Sequence, residues 1–217
     1  MPHLIPKQPV WRWLLSLSFL IPGTFVLGLN IWFTFPAPPP NSSVPADVVY
    51  FAYGSNMNDR YFTRVRGVTR HSSEVAKLPG FEVRFNLEGM TLLEPAFANL
   101  SAKSGQVAYG VVHRLPTDQF KKIIASEGPG YGVRDVQVEL TDGSTVIAKT
   151  LISEPTLSQD GTPSQRYLSF LHEAATDYAF PEAHIHRYNP DNGAYLPVVS
   201  ELFGAAIQTV VWITARL

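Results

Sequence analysis

Three stretches of this 217-residue chain combine residue types that can do chemistry. The first is Tyr50-Phe51-Ala52-Tyr53-Gly54-Ser55-Asn56, an apolar run that stops at Gly-Ser-Asn. A strand ending there exposes consecutive backbone N–H groups, and Gly54 has no Cβ to keep a ligand off the main chain. Such a turn can hold a carboxylate or a developing oxyanion. On residue types alone an ordinary strand end is the commoner reading. The second is Ser126-Glu127-Gly128-Pro129-Gly130-Tyr131-Gly132, a shaped loop that places one carboxylate, Glu127, after a helical pattern. The partial negative charge of a helix C-terminus disfavours an ionised acid, which suits a general base, although on residue types alone a solvated surface Glu is the commoner reading. The third is Pro163-Ser164-Gln165-Arg166-Tyr167, where Ser164 caps a helix and Tyr167 either fills core or turns its hydroxyl to a ligand.

Other chemistries find less support. With no cysteine, thiolate zinc sites, iron–sulfur clusters, disulfides and a Cys nucleophile are excluded. His172-Glu173 has Thr176 where a zincin helix needs its second His, and His184-Ile185-His186 is a weak metal signal, with both rings on one face of a strand. Gly54-Ser55 lacks the Gly-x-Ser-x-Gly elbow of a serine hydrolase.

The elements that must position these stretches lie in 47–217. Residues 48–53 read as a buried strand, 81–85 and 133–140 alternate as half-buried strands, and 106–114 is a strand interrupted by Gly110. Thr141-Asp142-Gly143-Ser144 turns 133–140 into 145–152, a hairpin. Residues 117–126 have helical spacing, with Phe120, Ile123 and Ile124 on one side and Thr117 as N-cap. Residues 164–178 form a second helix with Tyr167, Leu168, Leu171 and Ala175 inward. Strands outnumber helices and are hairpin-linked, which predicts an α+β fold: a small mixed β-barrel or strongly curved sheet with flanking helices.

The N-terminal part is different. Lys7 and Arg12 are the only full charges before Asp47, so the rest, with 15 basic against 18 acidic side chains, is weakly acidic and suits no nucleic-acid surface. From Trp13 to Phe35 nothing is charged, and roughly 20 apolar residues span a bilayer. Trp11, Trp13 and Trp32 sit near its ends, where indoles favour the interface. This predicts a cytosolic N-terminus at 1–12, a transmembrane anchor at 13–35, a Pro-rich linker at 36–46 and a non-cytosolic domain at 47–217. The orientation follows from Lys7 and Arg12 before the run and no Lys or Arg after it until Arg60. Sequons at Asn41 and Asn99 agree with that topology and suggest a glycoprotein.

Read together, these residues resemble the gamma-glutamylcyclotransferase-like family. Tyr50 to Met57 is similar to its opening strand and loop. The likeness continues through Glu94-Pro95-Ala96-Phe97-Ala98-Asn99-Leu100, Val107-Ala108-Tyr109-Gly110-Val111-Val112, Glu127-Gly128 with Tyr131, and Pro163-Ser164-x-x-Tyr167. It resembles most the branch found in fungal secondary-metabolite pathways, including those of sulfur-bridged dipeptide toxins. The resemblance implies a small β-barrel with flanking helices, no cofactor or metal, and a catalytic Glu, by position Glu127. It puts substrate binding on Tyr50, Phe51, Ala52, Tyr53, Gly54, Ser55 and Tyr167. The implied reaction releases 5-oxoproline and a free amine or amino acid from a small γ-glutamyl amide, such as a glutathione-derived conjugate. The anchor and linker depart from the soluble family pattern. Two alternatives remain on sequence: another acyl-group tailoring enzyme on the same fold, or a membrane-tethered binding protein.

Overall fold

The computed structural model describes residues 47–90, 94–127, 130–195 and 199–214. The expected anchor, the linker, Asn41 and Gly128-Pro129 lie outside them. Among the described residues no helix is long and apolar enough to cross a membrane.

Five strands close a barrel in the order β1-β3-β2-β4-β5. The β-branched and aromatic run Val48–Ala52 is β1, Ser72–Met90 is β2 and Glu94–Leu115 is β3. Gly132–Leu140 is β4 and Thr145–Ile152 is β5. All neighbours are antiparallel except β1 and β5, which meet in parallel at Tyr50 and Lys149. The glycine that interrupts β3 explains itself here. A Cβ on Gly110 would fall 2.4 Å from the Ala52 carbonyl oxygen and 2.5 Å from the Phe51 ring. Only glycine lets β1 press so closely against β3.

Helix α1, Thr117–Glu127, packs Phe120 and Ile123 into the core, with Ile124 half-buried beside them. The first hydrogen bonds of this helix go to the Pro116 carbonyl, from Gln119 N at 3.0 Å and Phe120 N at 3.1 Å. Thr117 therefore lies inside the helix rather than capping it. Helix α2, Gln165–Asp177, is capped as its sequence implies: the Ser164 side chain accepts from Tyr167 N at 3.0 Å. Tyr167, Leu168, Leu171 and Ala175 all face inward and are buried. A fully buried Leu such as Leu171 contributes about 1.5–3 kcal/mol relative to exposure.

Several expectations are corrected. Strands β2 and β3 are far longer than 81–85 and 106–114, because they form one bent hairpin with register shifts at Pro79/Phe81 and Arg84/Leu87. Gly80 and Gly105, both at φ +78°, allow the bend. His184 and His186 sit in a helix, α3 (Glu182–Arg187), not a strand. Helix α4, Val199–Thr214, had no counterpart in the reading of the sequence. Asn99 is fully buried in β3, and its amide donates to Asn86 Oδ1 at 3.1 Å and Ser153 O at 2.8 Å. The folded domain therefore cannot present Asn99 for glycosylation.

Candidate active site

Glu127 is the last residue of α1, and its side chain keeps 18% exposure while most of its neighbours are buried. Two donors converge on one of its oxygens. Asn56 Nδ2 reaches Oε1 at 2.7 Å and Arg66 Nη2 reaches it at 2.5 Å. Arg66 is itself buried, lies over the Tyr61 ring at 5.4 Å from the centroid, and donates through Nη1 to Ser126 Oγ. Burial works against the guanidinium's charge, but Glu127, followed by Tyr61, Tyr50 and Tyr131, raises the Arg66 pKa above its ordinary value.

The Gly-Ser-Asn stretch forms a 3-10 turn, Ser55–Met57, at the end of β1. Its own hydrogen bonds begin at Met57 N, which donates to Gly54 O at 2.9 Å. The N–H groups of Ser55 and Asn56 precede that ladder, as first-turn amides do. Gly54 has φ −119°, so no positive φ demands glycine there. Close approach does: a Cβ on Gly54 would lie 3.0 Å from the Tyr167 hydroxyl.

Four tyrosines surround this centre. Tyr50 OH accepts from Asn56 Nδ2 at 2.9 Å, which leaves its own hydrogen to donate. Tyr53 OH donates to Leu151 O, Tyr131 OH donates to Ala98 O at 3.4 Å, and Tyr167 OH accepts from Ala98 N at 3.3 Å. Burial first pushes all four phenols up; the Glu127 charge adds to the rise in each. They stay protonated and act as neutral hydrogen-bonding walls.

A second set of contacts holds these parts in place. His113, near the C-terminal end of β3, has Nε2 3.0 Å from the Asn56 carbonyl and Nδ1 2.7 Å from Ser73 Oγ. A carbonyl can only accept, so Nε2 carries the proton and Ser73 donates to Nδ1. Its ring stacks on Phe62 at 4.4 Å. Burial drives its pKa from the ordinary 6.5 down to about 3. On the other side, buried Glu94 accepts from Ser164 Oγ at 2.6 Å and from Arg166 Nε at 2.8 Å, fixing the start of α2 and so Tyr167.

The structure therefore gathers Tyr50, Tyr53, Gly54, Tyr167 and Glu127, with Ser55 on the same turn. Phe51 turns its ring to the Gly110 side, and Ala52 is buried core. Asn56, Arg66, Tyr131 and His113 complete the centre without having been assigned site roles from the sequence. Asn56 was visible as the end of Gly-Ser-Asn, and Tyr131 as part of the glycine-rich loop. Arg66 and His113 carried no signal. Among the described residues no group of three His, Asp or Glu side chains is arranged to hold a metal ion. His184 instead packs against Tyr109, ring centroids 4.4 Å apart.

Comparison with known proteins meets this geometry. The chain is 25% identical over 189 residues to gamma-glutamyl cyclotransferase aclK of Aspergillus oryzae, covering 76% of this chain and 69% of that one. It is 31% identical over 153 residues to gamma-glutamyl cyclotransferase verK of Clonostachys rogersoniana, covering 58% and 85%. A solved structure titled gamma-glutamyl cyclotransferase superposes with TM-score 0.61 at 21% identity, covering 75% of this chain and 99% of that one. An uncharacterized protein from Homo sapiens gives 0.60 at 22%, covering 75% and 98%. At those identities the two structures speak for the fold. The family model described as "Gamma-glutamyl cyclotransferase, AIG2-like" matches residues 50–169, which takes in β1 from Tyr50 on, the other four strands and α1. The chain belongs to the gamma-glutamyl cyclotransferase, AIG2-like family.

Proposed function

We propose that this protein is a gamma-glutamylcyclotransferase with Glu127 as its general acid–base residue. The observation that carries the reading is a single partly exposed carboxylate, held through Oε1 by Asn56 and Arg66, facing a turn, the buried Tyr50, Tyr53 and Tyr167, and the half-buried Tyr131. Pinning one oxygen leaves the other directed by the protein yet available to a substrate. The Arg66 contact suits the ionised carboxylate, the state from which a base starts.

A γ-glutamyl amide contains its own nucleophile. Glu127 takes a proton from the α-ammonium, and the neutral amine attacks the γ-carbonyl carbon. A new C–N bond closes a five-membered ring, the scissile C–N bond breaks, and the proton passes from Glu127 to the departing amine; the ring nitrogen then sheds its second proton through Glu127, so the amine leaves as its ammonium. The products are 5-oxoproline and a free amine; no water is consumed. Because the attack is intramolecular, holding the substrate bent supplies much of the acceleration. The N–H groups of Ser55 and Asn56 suit the substrate carboxylate or the oxyanion, and Gly54 permits the close approach. Tyr50 and Tyr167 frame the γ-glutamyl chain with hydroxyls rather than charges.

The substrate we favour is a glutathione-derived γ-glutamyl conjugate of secondary metabolism, in keeping with the names of the fungal relatives. We also assign residues 13–35 to a single membrane anchor, with 47–217 on the non-cytosolic side. The experiment is direct: incubate the full chain with γ-glutamyl dipeptides, glutathione and γ-glutamyl conjugates and assay for 5-oxoproline. Release of glutamate in place of 5-oxoproline would make the protein a hydrolase and remove the cyclisation.

A further inference from the structure

Beside the tyrosine-lined centre the barrel wall has a gap. β2 and β4 share two register pairs, Ala76 with Leu140 and Lys77 with Glu139. Further along the strands a cavity of about 370 Å³ lies between Phe81 of β2 and Arg134 and Val136 of β4, bordered by Gly130, Ser153 and Glu154. That volume is at the small end for ligand pockets, enough for an amino acid or short peptide.

No described residue lines both the cavity and the candidate catalytic centre, but chain neighbours and hydrogen bonds join their borders. Gly130 is three residues beyond Glu127, so even a fully extended chain keeps their Cα atoms within about 11 Å. Tyr131, between Gly130 and Gly132, sends its hydroxyl to Ala98 O. Ser153 exchanges two hydrogen bonds with Asn99: its N–H donates to Asn99 Oδ1 at 3.2 Å and its carbonyl accepts from Asn99 Nδ2 at 2.8 Å. Asn99 adjoins Ala98, whose backbone meets the hydroxyls of both Tyr131 and Tyr167.

The charges in the cavity are unequal in their commitments. Asp135 is taken by Lys149 at 2.9 Å. Arg134 lies over the bare backbone of Gly132, where a Cβ would come within 2.9 Å of Nη1. Nη1 donates to the Val133 carbonyl at 3.0 Å, and among the described residues no carboxylate pairs with the guanidinium. Gly132 thus keeps Arg134 folded over the cavity. Glu154 on the border is acidic. One cation and one acid at the edge suit a molecule with a carboxylate and N–H groups, and disfavour one with two negative charges.

We propose that this cavity is the leaving-group subsite and that Arg134 binds the free carboxylate of an amino acid or short peptide joined by its amine to the γ-glutamyl group. The inference rests on the cyclotransferase reading and adds the class of leaving group to it. A guanidinium pairs a carboxylate through two parallel N–H donors, whereas a simple alkylamine offers it nothing.

The test compares γ-glutamyl-alanine with γ-glutamyl-ethylamide, which have similar small leaving amines but differ in the carboxylate. The full chain should favour γ-glutamyl-alanine in kcat/KM, measured as 5-oxoproline release. Arg134→Gln should lower that preference by about fivefold, mainly through KM, because an exposed charge pair is worth little more; Arg134→Lys should restore part of it. Taking a ratio within one preparation cancels any difference in folded fraction. A wild-type protein without the preference, or an Arg134→Gln protein that keeps it, overturns the subsite while leaving the cyclotransferase intact. Turnover of neither substrate by the wild type overturns the subsite, and failure to release 5-oxoproline from glutathione and γ-glutamyl conjugates as well overturns the cyclotransferase reading with it.

Discussion

At the residue scale the assignment turns on Glu127. Glu127→Gln keeps the shape and can still accept from Asn56, but it cannot take up the substrate's proton. Turnover should fall by about 10²–10⁴, the usual worth of a general base, with the unfolding curve showing a folded protein. Wild-type turnover in the variant would remove Glu127 from the chemistry. Gly54→Val tests the turn: its Cβ would crowd the Tyr167 hydroxyl from 3.0 Å. We expect kcat/KM per folded molecule to drop, measured by kinetics matched to unfolding curves; equal activity per folded molecule would leave Gly54 as a mere strand end. On residue types alone a solvated Glu was the commoner reading, and Glu127 was legible mainly through the family resemblance, which puts the family's catalytic acid at that position. Its anchor, Arg66, was not. It follows an irregular stretch that also holds Arg60 and Arg64, and nothing in local spacing tells which arginine is buried. Buried arginines are exceptions to composition, found only once the partner carboxylate is placed in space.

At the element scale, β3 supports the candidate binding turn through His113. A neutral imidazole in the fold whose pKa is about 3, against 6.5 ordinarily, means the unfolded chain binds an extra proton between those values. Its contribution to stability is therefore complete above pH 6.5 and is lost as pH falls toward 3, by at most about 1.4 kcal/mol per pH unit. Urea unfolding between pH 7 and 4 should show this slope, and His113→Gln should flatten it; an identical slope in both proteins would assign the acid sensitivity elsewhere. Elements governed by local rules were legible. The β4–β5 hairpin and α2 were read to within about a residue, because Asp142-Gly143 and Ser164 fix their ends by neighbouring contacts. The long β2–β3 hairpin was read only in fragments. Its bulges at Gly80 and Gly105 and its register shifts interrupt the two-residue alternation on which strand reading depends. α3 was misread for a simpler reason: three residues, His184-Ile185-His186, are too few to separate one period from the other.

At the scale of the whole molecule, the anchor we propose at 13–35, with Lys7 and Arg12 before it, leads us to expect the domain beyond the cytosolic face. Protease added to sealed membranes from the cytosolic side should spare 47–217; digestion of the domain there would reverse the topology. The barrel's connectivity carries a further consequence. β1 holds the candidate binding turn, yet its partners arrive late in the chain: Thr150 Oγ1 donates to the Phe51 carbonyl across 99 residues of sequence. β2 and β3, by contrast, are joined by a short connection. Long-range closure pays its loop entropy before gaining any contact, whereas a hairpin pays little. During refolding the β2–β3 ribbon should acquire amide protection first, and β1 only when β5 is in place to seal the ring. Pulse-labelled hydrogen exchange would read that order directly; β1 protected ahead of β5 would contradict it. A chain interrupted before Thr145 would thus hold the strand, turn and Glu127 in sequence without a finished pocket, so competence for turnover should switch on late in synthesis, with the arrival of β5 and then of Tyr167 on α2.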